Sequence, residues 1–361
     1  MTRTQNTGQR NSFLDIIKFV FAVLIVLFHF GRGFVPGGRV AVEGFFMISG
    51  YFMMKSIERK GSLTNLGRET VRFAAHKYGA LAQYLIPSAV LGVAAACILR
   101  KRSAETTLRL FMLLFFEVFP LNALGYEGYY PIGISWYLSA MLYVLLILYP
   151  LCRKYGARFI MTAGLALSLG IYGFLSKEVG SLAVPGWMEG FPLPLRILRA
   201  AAGCLAGCVL YEAAEKLKGV QLTWLGKGLV LALEAAGYEL LAYIIWKLPK
   251  SKYDYLAVFL LFGLLLAGIS NVTGLAGRCS FPASRYLGTA STLLVLNHFH
   301  WNTLLTTFYG KNYGGEKGIW MYLEAVLLSG AVSWLLGCLG KRAVSRIRQK
   351  LVTEGMEKTA A

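Results

Sequence analysis

Acidic residues are scarce in this chain: 18 Asp and Glu stand against 37 Lys and Arg in 361 residues. Charge of either sign is sparse as well, at 15% of residues, where a soluble globular domain carries roughly 25%. A domain surrounded by water must cover itself with such residues, so an ordinary soluble fold is excluded. Histidine occurs only as His29, His76, His298 and His300, with no spacing that would ligate a metal. The six cysteines, Cys97, Cys152, Cys204, Cys208, Cys279 and Cys338, are scattered. Cys204 and Cys208 share a helix face, but no His or Cys stands at a zinc spacing from them. They read as small apolar packing residues, and neither a metal nor a bound cofactor is expected. The chain also lacks a basic recognition helix and an aromatic nucleic-acid platform. Its net charge of +19 therefore does not point to nucleic acid, because the basic residues cluster between apolar blocks, where membrane orientation signals sit.

What the chain has is apolar length. Hydrophobic residues make up 56% of it and its mean hydropathy is +0.55. They come in blocks of about 17 to 22, the length needed to cross a ~30 Å hydrocarbon core. The pattern predicts an all-α, polytopic membrane helical bundle of ten transmembrane helices over 13–31, 40–56, 79–98, 134–152, 158–175, 196–211, 228–247, 255–270, 286–305 and 319–340. The shorter piece 110–121, LFMLLFFEVFPL, carries Glu117 and stops at Pro120, so it reads as an interfacial or re-entrant helix. No small-residue cleavage site follows the first block, which reads as a retained helix. The Lys and Arg distribution places both termini in the cytoplasm. Segments 57–78, 153–157, 212–227, 271–285 and the tail KRAVSRIRQK then lie inside, while Arg100, Lys101 and Arg102 dissent by lying outside. The organisation expected is a cytoplasmic segment over 1–12, one membrane domain over 13–340 and a basic cytoplasmic tail over 341–361.

The first apolar block carries the densest chemistry. Lys18 and His29 lie eleven residues apart, about three helical turns, so they share a stripe at a separation of roughly 16 Å along the axis. A charge and an imidazole on one face of a membrane helix are costly unless they serve a polar interior. The residues around them resemble the acyltransferase family 3 proteins, integral-membrane enzymes that acylate sugars of bacterial surface polysaccharides and other acceptors. Leu14, Asp15, Lys18, His29 and Phe30 fill the family's first-helix pattern, with lysine where the family usually has arginine. Val42, Glu43, Phe45, Phe46, Ser49, Gly50 and Tyr51 are similar to its second-helix pattern. Weaker echoes are Ser135–Pro150 and the late helix Tyr286–Trp301, which puts His298 at the family's matching histidine.

The resemblance implies a membrane-bound O-acyltransferase, in the first instance an O-acetyltransferase. It would take an acyl group from acyl-CoA as co-substrate and pass it to a hydroxyl of a cell-surface polysaccharide or lipid-linked glycan. The location implied is the bacterial inner membrane. Its catalytic residues would be His29 as general base, imidazole being the side chain whose ordinary pKa lies nearest neutrality, and Glu43 as the partner that orients it. Lys18, Arg72 and Lys77, with His76 beside them, would bind the donor's phosphates. Asp15, Ser49 and His298 would support the site. Each has a plainer reading. Asp15 and Lys18 form an ion pair within one helix, Ser49 and Gly50 permit close helix packing, and Arg72 and Lys77 belong to a solvated cytoplasmic cluster. His298 and His300 fall about 200° apart on a helix, so at most one faces a common cavity. Trp136 and Tyr137 read as interfacial aromatics or as a sugar-stacking surface. A transporter or flippase for a sugar, lipid or acyl donor would use the same intramembrane charges, although no internal repeat of the transporter kind is visible.

Overall fold

The computed structural model describes residues 12–30, 34–119, 121–124, 133, 135–248, 251–279, 281–310 and 315–360. The polar segment 1–11 and Pro120 fall outside the described residues. Helices follow one another as α1 (Ser12–His29), α2 (Val40–Glu58), α3 (Leu66–Leu99), α4 (Ala104–Val118), α5 (Ser135–Phe159), α6 (Leu165–Glu178), α7 (Leu195–Leu217), α8 (Trp224–Lys247), α9 (Tyr253–Ser270), the short α10 (Leu275–Arg278), α11 (Ser284–Tyr309) and α12 (Glu316–Ala360). No strand occurs among the described residues. In a bilayer only a helix satisfies every backbone group within one segment, and the apolar blocks comply.

Among the described residues eight stretches are long and apolar enough to cross a membrane, against ten expected, and two features account for the difference. The single stretch Ser135–Glu178 is broken at Gly156, whose φ of 58° and ψ of −146° are readily available only to a residue without Cβ. The chain reverses there, so α5 and α6 are two passes, as the predicted 153–157 loop requires. The second is α11, whose Thr, Asn and His residues dilute its apolarity. It is sheathed by α1, α3 and α12 and so does not face lipid alone. Contacts at helix ends and at mid-helix then match ten alternating passes. Ser12 of α1 meets Ser284 of α11 at 3.0 Å, Arg39 at the start of α2 meets Asp254 of α9 at 2.8 Å, and Ser88 of α3 meets Ser333 of α12 at 3.1 Å. Both ends of the bundle's chain lie on one side, opposite His29.

Three elements differ in extent from the sequence expectation. α3 begins at Leu66 rather than 79, because Asn65 caps it by accepting from the Arg68 backbone N–H at 2.9 Å. Its 34 residues span about 51 Å, so its basic first turns project beyond the apolar layer. α4 is 15 residues long, about 22 Å, too short to cross. It runs back along α3, where the Tyr78 hydroxyl donates to the Val118 carbonyl at 2.8 Å. Just after α4, Asn122 donates its amide to Ser135 Oγ at the start of α5 at 2.7 Å. A helix too short to cross and laid back along α3 fits the interfacial or re-entrant reading. α12 continues through the basic tail as helix to Ala360, since KRAVSRIRQK contains no glycine or proline to stop it.

The tightest seam joins α2 to α7. A Cβ at Gly50 would strike the Cys204 carbonyl, and one at Gly207 would strike the Met47 carbonyl. Small residues let two membrane helices approach this closely. Gly207→Val is expected to destabilise the bundle by the upper end of ~1–3 kcal/mol or beyond. The readout is loss of the monodisperse peak in detergent; an unchanged melting temperature would mean the seam is looser than described.

Candidate active site

The site forms where the His29 end of α1 meets α11. His29 Nδ1 lies 2.9 Å from the Ile25 carbonyl oxygen and 3.1 Å from His298 Nε2. His298 Nδ1 in turn lies 2.8 Å from the Val295 carbonyl oxygen. A carbonyl oxygen only accepts, so each Nδ1 carries the proton. His298 Nε2 is therefore a lone pair facing the His29 Nδ1–H, and His29 Nε2 is a lone pair as well. The two rings are 4.8 Å apart, and Phe299 packs edge-on against His29 at 5.5 Å. His298 is fully buried. Both bonds to carbonyls are local to their own helices, so the tautomers are set by helix geometry alone.

The His29 ring borders a cavity of about 240 Å³ lined also by Arg39, Trp136, Tyr137, Arg196 and Arg199, with apolar groups from α1, α2, α11 and the 182–184 segment. Among the described residues its lining includes three arginines and no Asp or Glu. Two of these are held from behind. Arg39 makes a two-pronged bond to Asp254, 2.8 Å on each arm, and Asp254 also accepts from the Leu182 N–H at 2.8 Å. Arg199 donates to Glu43, to the Leu182 carbonyl at 2.8 Å and to the Arg39 carbonyl at 3.0 Å. Glu43, 0% exposed, also accepts from the Tyr172 hydroxyl at 2.5 Å. This network ties the 182–184 segment to α2, α7 and α9 and so fixes one wall of the cavity.

The expected pairing of Glu43 with His29 is therefore not formed. Glu43 is held by Arg199 and Tyr172, and the group on His29 is His298. A carboxylate with no exposure needs a full countercharge and donors; Arg199 of α7 supplies the charge and a donor, and Tyr172 of α6 a second donor. Arg199, Arg196, Tyr172, Arg39 and Asp254 escaped the sequence reading. The signal was present for the first two: arginines three apart in the apolar run of α7 are costly unless they face a polar interior. Arg39 and Asp254 stand at helix ends, where a charge ordinarily faces water.

The remaining expected residues lie elsewhere. Lys18 sits toward the opposite end of α1, with Nζ 2.8 Å from Asp15 Oδ1 and 5.7 Å from the centre of the Phe52 ring. Lys77 lies 5.8 Å from the Phe73 ring, within electrostatic reach of Lys18 and Cys204. Arg72 and His76 are exposed. None of Lys18, Arg72 and Lys77 lines the cavity beside His29. Ser49 donates to its own helix at the Phe45 carbonyl, 2.7 Å away, and lies 3.0 Å from Met141 Sδ. His300 points away from the pair and packs beside Gly92 of α3, as the angular separation requires. Trp136 is covered by Arg196 and Arg199, at 5.4 and 5.6 Å from its centre. No cluster of three or more potential metal ligands occurs among the described residues.

No curated protein and no solved structure gives a significant match to the chain. A family model described as an acyltransferase domain matches residues 11–338, from the first turn of α1 to the core of α12, and the histidine pair, the cavity and the buried charge network all fall inside that match. The chain thus belongs to acyltransferase family 3 and is a multi-pass membrane acyltransferase.

Proposed function

We propose that the protein is an O-acyltransferase of a bacterial inner membrane, moving an acyl group, acetyl in the first instance, from acyl-CoA to a hydroxyl of a cell-surface or lipid-linked glycan. The observation that carries this reading is the histidine pair at the cavity wall. Hydroxyl acylation needs a base within reach of the hydroxyl, in a site drier than bulk water. His29 offers Nε2 as that base while its Nδ1–H is held by Ile25 and His298. The acceptor's O–H bond breaks as its proton moves to His29 Nε2, and the oxygen forms a bond to the acyl carbon. The C–S bond to CoA then breaks, and the thiolate leaves with the proton returned from His29. His298 Nε2 accepts from the Nδ1–H throughout and so opposes the positive charge that His29 carries between the two transfers.

In this reading the CoA phosphates dock at the Lys18 and Lys77 end, and the acyl group reaches His29 over the roughly 16 Å that separates them along α1. The fixed wall at 182–184 shields the acyl-transfer step from water. Lys18→Ala is expected to raise the acetyl-CoA KM about tenfold with little change in kcat, because a charge-assisted contact to phosphate is lost, and Lys18→Arg is expected to retain it. If the KM stays at the parent value while only stability falls, Lys18 serves Asp15 alone. The reading as a whole is tested by adding acetyl-CoA to the purified chain in detergent. CoA release supports it, and an absence of both CoA release and CoA binding removes the donor assignment.

A further inference from the structure

We infer that the apolar groove between α1 and α8 seats the hydrocarbon tail of the acceptor, so that the hydroxyl presented to His29 belongs to a glycan attached through phosphate to a single lipid chain. The inference deepens the proposed function and rests on the cavity beside His29 being where the acceptor binds.

The groove encloses about 150 Å³, with α1 and α8 as its rims and α2 and α9 as its floor. Val20 on one rim and Tyr238 and Trp246 on the other are exposed, while Val40 and Leu265 of the floor are buried. The groove therefore opens sideways, toward lipid. Among the described residues its lining includes no charged side chain. It runs from Ile17 to Leu24 on α1 and from Tyr238 to Trp246 on α8, roughly 10 to 12 Å along the helices. A cleft of that size takes one chain. In hydrocarbon, apolar surface alone does not select one lipid over another, so shape and the groups at the ends decide what is held.

The outward end supplies two such groups of evidence. The first is continuity, because groove and His29 cavity share a wall. Leu24 lines the groove and Ile25 the cavity, and Val40 lines the groove where Arg39 lines the cavity. The end of α8 is fixed to that wall by the Gly37 N–H, which donates to the Ile245 carbonyl at 2.8 Å; a Cβ on Gly37 would strike Ile245. A tail lying in the groove thus has its head at the level of His29. The second is charge. Lys247 follows Trp246 at this end and is exposed, so its stem can carry the ammonium into the headgroup layer, where it attracts a phosphate. A single-chain lipid phosphate matches the width and the mouth together. A two-chain phospholipid leaves one chain outside.

Lipid binding by the full chain in detergent tests this, read by native mass spectrometry with polyisoprenyl phosphate, polyisoprenol and phosphatidylglycerol as probes. The parent is expected to hold polyisoprenyl phosphate about tenfold or more tightly than either of the others. Val20→Phe and Ala242→Phe fill the groove from its two rims and should each abolish that preference. Lys247→Gln should bring polyisoprenyl phosphate down to the level of polyisoprenol and leave polyisoprenol unchanged. Both rim positions are open to lipid, so a monodisperse peak with the parent's melting temperature separates loss of the groove from loss of the fold, and either variant suffices. The inference is overturned if phosphatidylglycerol binds as tightly as polyisoprenyl phosphate, which would make the groove a seat for ordinary bilayer lipid. It is equally overturned if the parent binds neither, or if the rim variants keep the parent's affinity. The same samples are scored for CoA release from acetyl-CoA. Release without the lipid preference removes the groove alone, whereas the preference without CoA binding or release supports the groove and counts against the donor reading.

Discussion

Replacing His29 with alanine is expected to lower acyl transfer by about 10²–10⁴-fold, the range a positioned general base supplies, while the chain still inserts and accumulates. The ring is only partly buried and its bonds are to one carbonyl and one imidazole, so its removal leaves no buried charge unpaired. His298→Ala is expected to lower transfer less, since Ile25 still holds the His29 Nδ1–H in place. The measurement is CoA release by purified protein in detergent, paired with acylated product by mass. Parent-level transfer by the His29 variant would remove that residue from the mechanism, whatever its neighbours do.

Glu43 gives the second large effect, of another kind. Its carboxylate is fully buried against Arg199 and Tyr172, and removing one member of such a pair strands the other in low dielectric, at a cost of ~3–5 kcal/mol. Glu43→Ala is therefore expected to lose much of its folded population in detergent. The double variant Glu43→Met, Arg199→Met should recover most of that loss, because no charge is then left unpaired. If instead Glu43→Ala melts with the parent and only transfer is lost, Glu43 acts in the chemistry, as the sequence alone would suggest, and the network around Arg199 is secondary.

That contrast shows how far the sequence reaches. The helical class, the number of passes and the break between 152 and 158 are legible because a bilayer imposes a length and an apolarity on every pass, and both are written in consecutive residues. The shared stripe of Lys18 and His29 is legible for the same reason, since helical periodicity converts spacing into direction. The partner of Glu43 is not. Glu43 and Arg199 are 156 positions apart, and Arg39 and Asp254 are 215 apart, so no local pattern joins them. Both arginines read as isolated charges until the helices that carry them are set side by side.

By itself the sequence determined a polytopic helical membrane bundle with a histidine at the far end of its first helix, because composition and periodicity act within single segments, while the acyltransferase type was legible only through resemblance to a family. Only the tertiary structure decided which groups that histidine meets, since α1 and α11 are brought together by packing across the whole chain. It also decided that the acidic residue of α2 braces a wall: a carboxylate sealed from solvent bonds to whichever cation the fold places within reach, and that cation came from α7.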